Sequence, residues 1–199
     1  MTGAELQAAV REALEPHPAV DSVELAGSRA KGTDTPLSDW DFQVETSDFG
    51  ALVMALPGLV EPLEPLSRQW DRYSPHPTYM LMLRGPLKLD LLFLGRLNEP
   101  RPPWSVSAQT LPGIDDHFWD WVLWLASKER PGDREALVRE QRGLMFEYLL
   151  GPLGAPREPT GAGDAVALYL EARAQAEQEL GVRIDRTLGD EVLRGLRAS

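Results

Sequence analysis

Cysteine is absent from the 199 residues, which excludes disulfides, thiolate nucleophiles and cysteine-based zinc sites. Histidine is scarce: His17, His76 and His117 are scattered, without the spacing of a transition-metal site. Positive charge is in deficit, with 20 Lys and Arg against 31 Asp and Glu and a net charge of −11. A chain that grips nucleic acid through its phosphates needs the opposite balance, because counterion release supplies most non-specific affinity. Nucleic acid is therefore not an expected partner, whereas cationic molecules and metal ions suit an acidic surface. No apolar run approaches the ~20 residues that span a bilayer. The N-terminus, MTGAELQAAVREALEP, is amphipathic and lacks a charged-then-apolar leader pattern. A soluble, cytoplasmic protein without a membrane partner is the expectation, and the pattern is silent on oligomeric state.

The composition, 43% hydrophobic and 26% charged, is that of a globular chain, and 17 Gly with 17 Pro imply many element boundaries. Periodicity predicts a helix over residues 2–14, a strand over 20–25 running into Ala26-Gly27-Ser28-Arg29, and a second strand over 38–45. A helix over 49–56 is expected to stop at Pro57-Gly58. Strands over 78–83 and 87–94 read as a hairpin about Arg84-Gly85-Pro86. Residues 98–112, with Pro100, Pro102, Pro103 and Pro112, read as a linker. Helices follow from a cap at Asp115 or Asp116 to Glu129 before Pro131-Gly132, from Asp133 to Leu150, and over 164–180 and 185–196. The expected fold is α+β: a small mixed sheet with flanking helices over 1–97, the linker, and a helical bundle over 113–199.

Chemistry concentrates between Leu25 and Phe42, in LAGSRAKGTDTPLSDWDF. Strand residues two apart share a face, so Asp39 and Asp41 project together while Trp40 and Phe42 enter the opposite layer. Two adjacent carboxylates repel unless a cation lies between them, and no basic residue adjoins them on the strand. Mg²⁺ is the hard cation suited to carboxylate oxygens plus phosphates. A DxD alone also fits a solvated strand edge. Gly27-Ser28, where a strand turns into a helix, supplies backbone N–H groups and a hydroxyl suited to phosphate oxygens, with Arg29, Lys31 and Gly32 following; a lone Gly-Ser fits an ordinary turn with a helix-capping serine better. A phosphate cradle beside a metal clamp makes a triphosphate site. Asp90, an acid within the apolar run LKLDLLFL, is costly to bury unpaired; a salt bridge or a strand-end carboxylate at the surface would also fit it, and it is the expected third carboxylate.

Gly27-Ser28, a ten-residue gap, Asp39-x-Asp41 and a distant strand Asp90 resemble the nucleotidyltransferase superfamily typified by DNA polymerase β. The spelling GSRAKG…SDWD is similar to its small-molecule branch, the aminoglycoside and lincosamide nucleotidyltransferases. The likeness spans about residues 20–95. It implies that Gly27 and Ser28, with Lys31 nearby, hold the phosphates of an NTP. Asp39, Asp41 and Asp90 would bind two Mg²⁺ ions and form the catalytic set, with Asp90 either a ligand or the general base. The reaction implied is transfer of a nucleoside monophosphate, AMP from ATP, to a hydroxyl of a small, cationic acceptor. Nucleotidylation of a protein or an RNA end, and a non-catalytic nucleotide-binding role, are the alternatives. In the helical half, Asp115, Asp116, Asp120 and Glu147 are candidates to line an acceptor pocket, although each singly reads as a cap or a solvated charge. His117 reads as a helix-end residue, and Trp119, Trp121 and Trp124 as packing bulk.

Overall fold

A computed structural model describes residues 2–99, 101–129 and 134–198. The expected helix stop at Pro131-Gly132, the cap at Asp133 and Pro100 of the expected linker lie outside the described residues. The chain divides into two compact units, one of Met1–Asp34 with Ser38–Pro100 and one of Thr35–Leu37 with Arg101–Ser199.

The first unit is a five-stranded mixed sheet with helices, so the expected α+β class is what is found. Helix α1 (Gly3–Leu14) starts from a capping box in which Thr2 Oγ1 accepts from the Glu5 amide and Glu5 accepts from the Thr2 amide. Its Leu6, Val10 and Leu14 lie on one stripe and are buried. Each contributes about 1.5–3 kcal/mol by leaving water. Strand β1 (Val20–Leu25) leads into a single turn, α2 (Gly27–Ala30), and then β2 (Trp40–Thr46). Helix α3 (Phe49–Leu59) passes through the expected stop at Pro57-Gly58. Pro57 removes only a ladder bond near the helix end, while fully buried Leu56 and Val60 hold that turn on the core. A 3₁₀ turn at Glu61–Leu63 precedes β3 (Ser67–Trp70), a short strand that the sequence did not announce. Strands β4 (Thr78–Leu83) and β5 (Leu87–Leu92) form the expected hairpin, with Gly85 at φ +91.

The sheet order is β1-β2-β5-β4-β3. All neighbours are antiparallel except β2 and β5, which run parallel with Asp41 opposite Asp90. Alternation then sorts the faces. Trp40, Phe42 and Val44 of β2 and Leu89 and Leu91 of β5 join one core cluster with residues of α1 and α3. Asp41, Lys88 and Asp90 fall on the opposite face.

In the second unit, α4 (Leu111–Lys128) begins four residues before the expected cap at Asp115. Pro112 therefore belongs to the first helical turn, where a missing N–H has no intrahelical partner to lose. Helix α5 (Glu135–Met145) gives way to a π-helical turn, Phe146–Leu150, where a single helix was expected. Helix α6 (Ala162–Leu180) closes on Gly181 at φ +65, a left-handed end suited to glycine. Asp185 accepts from the Thr187 amide at 2.7 Å ahead of α7 (Thr187–Ala198). The Phe118 and Tyr169 rings stack 3.7 Å apart between α4 and α6. Among the described residues, no helix is long and apolar enough to cross a membrane.

Candidate metal centre

Three carboxylates meet on the polar face of the sheet. Asp39, Asp41 and Asp90 each offer an oxygen, and the three oxygens lie within 4.8 Å of one another. The parallel register brings the last two together, since Asp41 and Asp90 are Cα partners on β2 and β5. Asp39 sits one residue ahead of β2 rather than within it, and is buried to 8% exposure. Asp90 is likewise buried, at 7% exposure. Burial pushes its carboxyl above the usual range, Lys88 draws it back, and the nearby charges of Asp39 and Asp71 raise it again.

The Gly27 turn closes directly over this cluster. The Ala26 amide donates to the Asp41 carbonyl at 2.7 Å, which fixes the end of β1 against β2. Gly27 follows at φ +64, and a Cβ there would stand 1.8 Å from Asp41 Oδ2. Glycine is thus required twice, by the left-handed backbone and by the approach to the carboxylate. The Ser28 Oγ is buried and has no hydrogen-bond partner among the described residues. Its carbonyl accepts from the amides of Lys31 and Thr33, at 3.2 and 3.0 Å, which tightens the loop. Lys31 itself is exposed at the end of α2.

Two basic residues have roles that the sequence did not assign, Arg29, which it placed only beside the loop, and Lys88. Arg29 donates from Nε to the Ser38 and Asp39 carbonyls at 3.2 and 3.0 Å, and from Nη2 to Ser38 at 2.6 Å. It also pairs with Asp34 at 2.9 Å and lies 4.1 Å over the Trp40 ring. One guanidinium therefore ties α2 to the peptide that carries Asp39, a use of its fixed fork that lysine lacks. Lys88, the second, pairs with Oδ2 of Asp90. A basic group thus enters the acidic cluster from β5, the neighbouring strand, rather than from the strand of Asp41. The signal was available: in LKLD, alternation puts Lys88 and Asp90 on one face.

The donor set fits a divalent cation. It consists of hard carboxylate oxygens, crowded and largely buried, and Asp90 Oδ1 is a buried oxygen without a hydrogen-bond partner among the described residues. Such an arrangement of like charges is costly until a cation neutralises it.

The helical candidates are placed differently. Asp115 is neither a cap nor a solvated charge. Its Oδ1 accepts from Trp119 Nε1 at 3.2 Å, from Arg173 at 2.8 Å and from the Tyr169 hydroxyl, all buried. This network occupies Asp115 within the core of the second unit. Asp116 is half-buried, and its carboxyl is pushed up to about 7, chiefly by burial and then by Asp115. Asp120 is buried, whereas Glu147 is exposed. His117 is buried, not a helix-end residue, with its ring edge-on to Trp121 at 5.6 Å. Trp119 and Trp121 are buried packing residues as expected, and Trp124 lies partly exposed beneath Lys128.

The chain matches no protein-family model and no curated protein sequence. Solved structures similar to it include the polymerase core of TRAMP, an RNA surveillance complex, at 16% identity and a TM-score of 0.38. That alignment covers 86% of this chain and 50% of the other, so the chain spans half the length of that polymerase core. An aminoglycoside 6-adenyltransferase from Bacillus subtilis is similar at 10% identity and a TM-score of 0.35, with 100% of both chains covered. Overlaps this loose carry no weight for reaction or substrate, and the functional reading rests on the acidic centre and the loop over it.

Proposed function

We propose that the chain is a divalent-cation-dependent nucleotidyltransferase, moving a nucleoside monophosphate from an NTP to an acceptor hydroxyl with release of pyrophosphate. The observation that supports this most is the meeting of three carboxylates from β2, its approach and β5 beneath a glycine turn that only a residue without Cβ can make. Asp39, Asp41 and Asp90 would hold two Mg²⁺ ions, which neutralise charge on the attacking and leaving oxygens. Gly27 lets the backbone approach the phosphates closely. Ser28 directs a buried, unpartnered hydroxyl to a phosphate oxygen, and Lys31 adds a cation at the edge of the loop. Asp90 either ligates or takes the proton of the acceptor hydroxyl through Oδ1. Attack at the α-phosphorus then expels pyrophosphate, so the protein's contribution is mainly positioning and charge neutralisation. ATP is the proposed donor. A small, cationic acceptor suits a surface with a net charge of −11.

The test is pyrophosphate release from ATP with Mg²⁺ present or chelated, against a panel of aminoglycosides, lincosamides and other hydroxyl compounds. Asp41→Asn keeps the side-chain volume and should leave the apo protein folded while turnover falls by about two orders of magnitude or more. Stabilisation by Mg²⁺ plus ATP should shrink in parallel, since it follows binding to the native state. A mutant with full turnover would falsify the mechanism. Unfolding by this change would make Asp41 a structural hydrogen-bond partner instead. Modification of a protein or an RNA end, with every small acceptor inert, would move the reading to those acceptors.

A further inference from the structure

We propose that Lys88 is the positioning residue of the acidic centre: it fixes Asp90 so that Oδ1 alone faces the cation, and it weakens divalent-cation binding by contributing a permanent positive charge. The inference rests on reading Asp39, Asp41 and Asp90 as cation ligands.

Lys88 and Asp90 are two residues apart on β5 and therefore share the polar face. Both side chains are deeply buried, at 6% and 10% exposure, and the ammonium holds Oδ2. The other oxygen, Oδ1, is buried and has no hydrogen-bond partner among the described residues. One ligand oxygen from each of Asp39, Asp41 and Asp90 lies within 4.8 Å of the others. One half of the carboxylate is thus held by the protein and the other half is left for a ligand. Stability alone does not account for the lysine, because a buried ion pair is often matched or bettered by apolar residues of similar size. β5 is otherwise leucine at every position, so an apolar residue at 88 would continue the strand without a charge to bury. The lysine earns its place through Asp90: a carboxylate free to rotate would offer either oxygen, or both, to the cation.

Removing the ammonium should therefore have two effects of opposite sense. The centre becomes more negative, so cations bind more tightly. Asp90 loses its fixed orientation, so turnover falls. A purely structural lysine would lower both, together with the melting temperature. A lysine that acted on the triphosphate would raise KM for ATP and leave cation affinity alone.

The experiment is calorimetric titration of Mg²⁺ into the nucleotide-free full chain, for the wild type, Lys88→Met and Lys88→Gln. It is paired with pyrophosphate release from ATP using water as acceptor. Lys88→Met should bind Mg²⁺ about tenfold more tightly, because a unit charge a few ångströms away has gone. Its kcat should drop by about 100-fold with KM for ATP nearly unchanged, as expected for lost geometry at the reacting centre. Lys88→Gln drops the charge but still donates to Oδ2. It should bind Mg²⁺ as tightly as Lys88→Met while keeping most of the wild-type kcat. If Lys88→Met does not fold, tighter Mg²⁺ binding by Lys88→Gln decides the matter. Unchanged or weaker Mg²⁺ binding in a folded variant overturns the inference, as does a raised KM with cation affinity untouched. A wild-type chain whose Mg²⁺ binding is absent, or indifferent to Asp41→Asn, overturns the underlying reading of the centre.

Discussion

A buried hydroxyl without a partner is a small destabilising element, and Ser28 carries one beside the carboxylates. Replacing it with alanine removes a desolvated polar atom, so Ser28→Ala should leave the apo melting temperature unchanged or slightly raised. If the hydroxyl donates to a phosphate oxygen, the same change loses a hydrogen bond to a charged group worth roughly 1.5–3 kcal/mol. The expected result is a fall of about 10–100-fold in kcat/KM for ATP, with the backbone contacts of the loop retained. A loss of stability with unaltered kinetics would make Ser28 a structural residue. Gly27 next to it has less latitude, since φ +64 strains any side chain and a Cβ would stand 1.8 Å from Asp41 Oδ2.

At the level of elements, legibility followed periodicity. The strand that carries Asp41 announces itself because Phe42 and Val44 alternate with polar neighbours, and the one that carries Asp90 because it is a short apolar run interrupted by Lys88 and Asp90. Helix α1 shows itself in the stripe of Leu6, Val10 and Leu14, all buried. Edge strand β3 stays hidden because SRQW has no alternation of its own and is ordered by pairing with β4. The start of α4 was misplaced because Pro112 resembled linker, although proline is at home in a first helical turn. A salt bridge is one sequence reading of Asp90, and its partner is Lys88, two residues before it on the same face of β5. Helix α4 also holds a pH-dependent load. The Asp116 carboxyl titrates near 3.8 when unfolded and at about 7 when folded. From the lower value to the higher, the unfolded chain releases a proton that the folded chain keeps, so stability falls as pH rises. Asp116→Asn should remove that slope. The melting temperature is expected to rise by about 3 °C or more at pH 8, since each kcal/mol shifts it by roughly 2–4 °C at this size, and to change little at pH 4. Thermal denaturation at the two pH values reads the difference; equal shifts would show that Asp116 is ionised at both.

Taken whole, the chain is acidic by 11 charges, which under the proposed function favours cationic acceptors over polyanions. Arg29 and Lys88, beside the carboxylates, are committed to Asp34 with the Ser38 and Asp39 carbonyls and to Asp90. Neither is arranged as a track for a polyanion. A gel-shift titration with single-stranded RNA at low salt is expected to show no binding at micromolar protein, because phosphate contacts by released counterions supply most such affinity. A shift that weakens steeply with salt would bring the RNA-end acceptor forward.

The parallel pairing of β2 with β5 has a consequence for how the protein comes to be functional at all. Between the two strands the chain must complete α3, β3 and β4, so Asp41 and Asp90 are brought together only by a long loop closure. Contacts of that kind form late, after local structure has been ordered, and they are slow. The pairing also admits no approximate version. A slip of one residue would turn Asp90 toward the Leu and Phe cluster and set a leucine opposite Asp41. The acidic cluster is thus a readout of folding: a chain that brings Asp41 and Asp90 face to face is one whose central register is already correct.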